Sequence, residues 1–352
     1  MRACPLFELQ KAQGAVFRPH AGFSVPAHYG DPDTECAVAR KSCVVTDLSY
    51  CGKLSIRGED RGAVLDRALV GDVTSLRAGC GLHTLALTPT GRILADMVIY
   101  ALDDWHLVEL DLENVPRVAG QLLQLDDDAD VEVQDLSEAW GLLSLQGPES
   151  ADALAYLGVG IPPPSCIRTA VLAGHPILVA ERRRASAPGF DLFAAAGALI
   201  DCWNSILERG VLPAGLDALN ALRIEAGIPW AGTELDEQVT PTEAGLEAAL
   251  SSIKEGYIGH AAVVRARRRP PARRLYRLVI ETELAPTPGA PVYVASRVVG
   301  KVTSAARCSA GGGAVALAFL KRDWNKDGAP VMVEVDGGKC PARVMHLPAM
   351  KG

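Results

Sequence analysis

The chain has 352 residues, 49% hydrophobic and 22% charged, with 35 Lys and Arg against 42 Asp and Glu for a formal net charge of −7. That length serves two or three domains with a sizeable core, and 5% aromatics leaves the packing to aliphatic side chains. The acidic balance argues against a general nucleic-acid binder, no apolar run reaches the roughly 18 residues of a membrane span, and the nine cysteines form no Cys-x-x-Cys pair of the zinc or redox kind.

Residues Met1–Val16 lack the long apolar core and small-residue cleavage site of a secretory signal. With reduced thiols as the simplest reading of nine cysteines, a cytoplasmic location is expected. Alternating or apolar runs predict strands over Gly52–Arg57, Leu82–Leu87, Met97–Leu102, His106–Leu110 and Leu142–Leu145. Helical spacing predicts Asp60–Val70 and Val115–Leu125 between them. Pro162-Pro163-Pro164 breaks the chain, and helices are expected over Ala194–Arg209, stopped by Gly210, and over Gly215–Ala226. Arg265–Arg274, reading RARRRPPARR, is expected as an exposed linker. Strands over Leu275–Glu281, Val292–Ala295, Val298–Thr303, Ala314–Leu320 and Val331–Val335 then suggest a small β-barrel or sandwich. The alternation of strands and helices contains neither a Gly-x-Gly-x-x-Gly loop nor a phosphate-binding Gly-Lys-Ser/Thr loop, which excludes the usual dinucleotide and P-loop chemistries.

Several residues could carry chemistry. Asp96 follows a Gly91-Arg92 turn and precedes the apolar run Met97–Tyr100. Burial there can move a carboxylate's pKa and suit it to proton work; an ordinary turn aspartate is the alternative. Arg223 and Glu225, two apart on a helix, face different ways. Arg223 could hold a ligand carboxylate as a fork, or pair with Glu225, Asp236 or Glu237, while Glu225 and Glu243 read as structural. Tyr100 and Trp230 could stack on a ring or sit in the core. Arg182-Arg183-Arg184 and the 265–274 run read as solvated, with steering of an anionic ligand as the alternative.

Between Leu219 and Gly259 four motifs fall in register. They are Leu222-Arg223-Ile224-Glu225-Ala226-Gly227, Glu234-Leu235-Asp236-Glu237, Thr240-Pro241-Thr242-Glu243-Ala244-Gly245-Leu246, and Lys254 to Gly259. Together with His28-Tyr29-Gly30, Thr46-Asp47-Leu48-Ser49, Gly91 to Asp96, Gln146-Gly147-Pro148 and Val299 to Ser304, this pattern resembles the folate-dependent aminomethyltransferases, the T-protein of the glycine cleavage system and its relatives. The resemblance implies an α+β fold: a ring of three domains around a central channel, with mixed α/β folate-binding domains followed by a small C-terminal β-barrel. It places one folate-binding subdomain at 1–50 plus 140–264, a second at 51–139, the linker at 265–274 and the barrel at 275–352.

The resemblance also implies tetrahydrofolate as cofactor, a lipoyl carrier protein as partner, and transfer of an aminomethyl carbon to give methylenetetrahydrofolate and ammonia, with neither nucleic acid nor membrane involved. Asp96 matches the aspartate at the reactive folate nitrogens. Asp191 matches the pterin-recognising glutamate, one methylene shorter. His83 replaces a tyrosine lining the pocket, and Arg343 matches an arginine that closes the channel. No metal is implied. The chain departs from the pattern where Val-Val-Asn becomes Leu107-Val108-Glu109-Leu110 and where the tyrosine before Asp191 becomes Arg184. These changes leave open a non-catalytic folate-binding protein that assists iron–sulfur enzymes, or a folate-dependent demethylase with another donor. The first of these lacks its Lys-Gly-Cys-Tyr-x-Gly-Gln signature here, since Gly256 and His260 replace the cysteine and the glutamine.

Overall fold

The computed structural model describes residues 1–125, 127–308, 312–324 and 326–348. The chain opens with β1 (Arg2–Ala3), α1 (Phe7–Ala12), β2 (Val16–His20), β3 (Phe23–His28), α2 (Pro32–Lys41) and β4 (Val44–Asp47). Next come β5 (Gly52–Arg57), α3 (Arg61–Ala68), β6 (Gly81–Leu87), β7 (Ile93–Ala101), β8 (His106–Leu110), α4 (Val115–Leu123) and β9 (Glu132–Asp135). A third stretch holds β10 (Trp140–Gln146), α5 (Ser150–Tyr156), β11 (Ile167–Leu172), β12 (His175–Glu181), β13 (Gly189–Ala195), α6 (Leu199–Glu208), β14 (Leu212–Pro213), α7 (Leu216–Ala226), α8 (Pro241–Ala244) and α9 (His260–Arg267). The last stretch is all β: β15 (Arg273–Ile280), β16 (Pro291–Val294), β17 (Arg297–Cys308), β18 (Gly313–Lys321), β19 (Pro330–Val335) and β20 (Gly338–Met345).

These strands make a small sheet β1-β3-β2, a six-stranded sheet β11-β12-β13-β10-β4-β14, a five-stranded sheet β6-β7-β8-β5-β9, and a closed barrel β15-β18-β17-β16-β19-β20. Mixed α/β lobes followed by a six-stranded barrel is the expected α+β architecture. Among the described residues no helix is long and apolar enough to cross a membrane.

Each large sheet buries one face under helices because its alternate residues are apolar. In the five-stranded sheet Leu54, Ile56, Met97, Ile99, Val108 and Leu110 pack on α3 and α4 through Leu65, Val118 and Leu122. In the six-stranded sheet Val45, Leu143, Leu145, Val179 and Leu192 pack on α5 and α6 through Leu154, Leu199, Trp203 and Ile206. The opposite faces of the two sheets meet in a further cluster, where Val98, Tyr100 and Leu107 touch Leu142, Leu178 and Phe193. The barrel encloses its own core of Leu278, Val292, Val299, Ala316, Val333 and Val344.

Three expectations are corrected. The α-helix expected over Ala194–Arg209 starts only at Leu199: Phe190, Leu192 and Ala194 alternate onto one sheet face and keep the chain extended to Ala195, and Ala196–Ala198 form a 3-10 turn before the helix. The Arg/Pro linker shrinks to 268–272. Arg273 stacks over Phe319 at 4.7 Å and reaches Glu243 at 3.3 Å, and Arg274 reaches Glu247 at 2.7 Å, so both arginines open a strand instead of trailing in solvent. Asp96 is the fourth residue of β7, paired with Leu85 across the sheet, and not a residue at a strand start.

The motif segment around α7 joins the lobes. Its helix ends on Gly227 at φ +73°, a left-handed position that glycine takes without strain. Glu225 receives Arg40 of α2 at 3.1 Å. Glu243 caps α8 through Thr240 and also binds Arg92 of the β6–β7 turn at 3.1 Å and Arg273 of β15 at 3.3 Å. Glu234 is buried and accepts four bonds: from Arg223 (2.8 Å), the Trp230 backbone N–H (3.0 Å), Thr303 (2.8 Å) and Ser304 (2.6 Å). Helix α7, the loop after it and barrel strand β17 therefore meet on one carboxylate.

Arg223→Met is expected to cost about 3–5 kcal/mol in denaturant unfolding, because Glu234 would stay charged and buried. Adding Glu234→Met should recover much of that loss. A single-mutant loss at the scale of an exposed pair, about 1 kcal/mol or less, would remove Glu234 from this role.

Candidate functional site

Strand pairing places the polar residues. In the five-stranded sheet Lys53 lies opposite Glu109, Glu109 opposite Val98, Val98 opposite His83, and Asp96 opposite Leu85. Cross-strand partners share a face. Lys53, His83, Asp96, Tyr100 and Glu109 therefore all project from the face that the helices leave free. On the six-stranded sheet Thr46, Ser144 and Asp191 are aligned across β4, β10 and β13 and share the face that packs against Tyr100 through Phe193. Two sheets thus turn a set of charged groups toward one interior.

Asp96 Oδ1 lies 2.6 Å from His83 Nε2, with the two side chains 21% and 13% exposed. Its other oxygen has no hydrogen-bond partner among the described residues. Tyr100 lies deeper, 1% exposed, its ring edge-on to Phe193 at 6.1 Å and its hydroxyl without a partner. Burial raises the phenol's pKa well beyond the ordinary range, so the hydroxyl stays protonated and can donate.

Asp191 is fully buried. It accepts from Ser144 Oγ at 2.7 Å and from Arg184, whose Nε lies 3.1 and 3.2 Å from the two carboxylate oxygens and whose Nη2 lies 2.6 Å from one of them. The same Nη2 is 3.3 Å from Glu109, which Arg182 approaches to 4.0 Å. Burial by itself would raise the Glu109 carboxyl, but the Arg184 and Arg182 guanidiniums outweigh it and hold it below the ordinary carboxylate value. Burial works against the charge on Arg184 too, and the Asp191 and Glu109 carboxylates overcome it, raising that guanidinium well above its usual value. Lys53 is lowered by burial and donates to the Ser49 carbonyl at 2.9 Å.

The remaining sequence-derived candidates fall elsewhere. Arg223 is 1% exposed, and its donors are engaged by Glu234, the Asn220 side chain at 3.0 Å and the Ile228 carbonyl at 3.2 Å, so the expected ligand clamp is instead an internal tie. Burial lowers its pKa and Glu234 opposes that. Trp230 lies half-buried, with the Arg223 guanidinium 4.8 Å from its ring. Arg343 is exposed on the outer face of the barrel, because the alternation that buries Ala342 and Val344 turns it outward. Arg184, expected in a solvated run, is drawn inward, whereas Arg183 remains exposed.

Glu109 is the interior residue that sequence reading passed over. Its signal was a single acid inside the apolar strand His106–Leu110. Its neighbour Leu110 points to the helices.

Taken together, two helix-backed sheets with an acid–imidazole pair on an inner face, and a closed six-stranded barrel appended, define the class of α+β proteins to which the chain belongs. Residues 6–254 match the GCVT N-terminal domain model, and residues 273–351 match the glycine cleavage T-protein C-terminal barrel domain. The chain is 31% identical over 372 residues to the aminomethyltransferase of Streptomyces coelicolor, covering 100% of this chain and 98% of that one. It is also 31% identical over 353 residues to that of Rubrobacter xylanophilus, covering 99% and 94%. Its fold matches the crystal structure of glycine cleavage system aminomethyltransferase T from Bartonella henselae with a TM-score of 0.91 at 24% identity, covering 99% of this chain and 98% of that one. The chain belongs to the glycine cleavage T-protein family, the aminomethyltransferases.

Tyr100→Phe is expected to leave the ligand-free protein as stable or about 1 kcal/mol more stable, since a buried hydroxyl without a partner is a net cost. A loss above about 1 kcal/mol in denaturant unfolding would mean that the hydroxyl is bonded in the folded protein.

Proposed function

We propose that this protein catalyses tetrahydrofolate-dependent one-carbon transfer of the aminomethyltransferase type, taking the aminomethyl group of a lipoyl carrier protein to methylenetetrahydrofolate and ammonia in the cytoplasm. The observation that carries the reading is Asp96. The family match runs through it, and its carboxylate sits in the interior with one oxygen on His83 and the other free to accept from a ligand N–H.

The residues present fit a reduced folate at its reacting end. Asp96 supplies an acceptor, and Tyr100 supplies a buried hydroxyl that lacks a partner among the described residues. Tetrahydrofolate would supply the nucleophilic nitrogen that takes the one-carbon unit. The chain's own work is orientation and proton placement. Asp96 holds a proton-bearing nitrogen at its free oxygen, His83 fixes the carboxylate's direction through its Nε2, and the apolar cluster of Val98, Leu107, Leu142 and Phe193 excludes water. Good orientation of this kind contributes about 7–11 kcal/mol of barrier lowering.

Tetrahydrofolate at a hundredfold excess over its dissociation constant is expected to stabilise the protein by about 2.7 kcal/mol, read as a rise in Tm. No shift would remove the folate reading. Asp96→Asn should keep the fold and that shift but abolish turnover of an aminomethyl-loaded lipoyl carrier. Turnover unchanged in Asp96→Asn would move the proton work to another group.

A further inference from the structure

Asp191 is the most buried carboxylate of the interior, and it already has a ligand: the Arg184 side chain. The Arg184 fork, with Nε at 3.1 Å and Nη2 at 2.6 Å, offers Asp191 two N–H donors from one planar, delocalised group. An aminopyrimidine edge, with a ring N–H beside an exocyclic amine, offers a carboxylate the same planar pair of donors at the same spacing. Ser144 holds one Asp191 oxygen from the sheet at 2.7 Å, so the carboxylate's orientation does not depend on Arg184. Glu109 would retain Arg182, now 4.0 Å away, if Arg184 left. Arg184 lies in the connection between β12 and β13 rather than inside either strand, and the neighbouring Arg183 and Ser186 are exposed, so the side chain can swing outward without unpairing the sheet.

We propose that Arg184 is a built-in competitor: its guanidinium occupies on Asp191 the place of a ligand's planar two-donor edge, and it must leave before that ligand seats. The identity of the ligand as a reduced folate rests on the function proposed above; the competition rests on the Arg184–Asp191–Glu109 geometry. The arrangement makes Arg184 the residue that sets affinity and specificity at this end of the site. Only a ligand with a parallel pair of N–H donors on a flat edge replaces what the arginine gives up. A folded protein whose open form makes up about 1–10% of the population shows an apparent affinity about 10–100-fold weaker than the intrinsic one.

The test uses the full chain and reads binding, not turnover. Arg184→Ala, and Arg184→Ala combined with Glu109→Gln so that no extra buried charge is stranded, should bind tetrahydrofolate about 10–100-fold more tightly than the parent by calorimetry. Free guanidinium at millimolar concentration, far below the denaturing range, should raise the Tm of both variants and compete with tetrahydrofolate in them. In the parent it should do neither. A parent that binds tetrahydrofolate with variants that bind it equally or less well overturns the proposal. So do folded variants in which guanidinium neither stabilises nor competes. Failure of parent and variants alike to bind tetrahydrofolate, with guanidinium still stabilising the variants, leaves Arg184 as the occupant of Asp191 and overturns the folate reading instead.

Discussion

The fold depends on a carboxylate that never sees water. Glu234 binds the Arg223 guanidinium, a backbone N–H and two barrel hydroxyls, and both members of the ion pair are buried. An isolated carboxylate at such depth would cost several kcal/mol of desolvation, and the cost is offset only when all four bonds form at once. Those bonds come from helix α7, the following loop and β17, so none of the three can shift without stranding a charge. The same logic explains the spacing of acids along this segment. Glu225, Glu234 and Glu243 each reach an arginine or hydroxyl of a different part of the molecule: α2, the barrel, and the β6–β7 turn with β15. A segment that reads as a signature is, physically, a set of internal ties between lobes.

The interior site has a different character. There, two sheets have apolar outer faces under helices, and their inner faces mix an apolar cluster of Val98, Leu107, Leu142 and Phe193 with buried charged groups. Placing Lys53, Glu109, Asp191 and Arg184 between them is costly unless each charge has a partner, and each does. The Arg184 pairs to Glu109 and Asp191 link the two sheets, while one Asp96 oxygen and the Tyr100 hydroxyl have no hydrogen-bond partner among the described residues.

Membership of the aminomethyltransferase family and the altered inner residues are two sides of one design. The acids at 225, 234 and 243 tie the scaffold together, whereas 109, 184 and 191 form one charge cluster in the interior. A glutamate facing the interior needs a cation, and Arg184 supplies it while also holding Asp191. Charge balance couples the three positions: replacing Arg184 alone would leave the buried Asp191 carboxylate without a cation.

Much of the fold was legible in the residues. His106–Leu110 and Gly52–Arg57 alternate in the strand manner and form strands with those bounds, helix α7 ends where Gly227 permits the left-handed turn, and barrel strands follow each Gly- or Pro-marked break. Local signals suffice there because hydrophobic period and backbone freedom are properties of neighbouring residues. They fail at the end of β13, where Ala194 and Ala195 suit a helix but continue a buried strand. They fail equally at Arg273 and Arg184, since an arginine reads the same whether its partner is water or a carboxylate many residues away. The sequence by itself determined the α+β class, the barrel, the family pattern and Asp96 as the acid to watch. Only the tertiary structure decided that Arg223 is a tie, that Glu109 faces inward, and that Arg184 occupies Asp191, because a buried ion's role depends on which opposite charge the fold brings within a few ångströms of it.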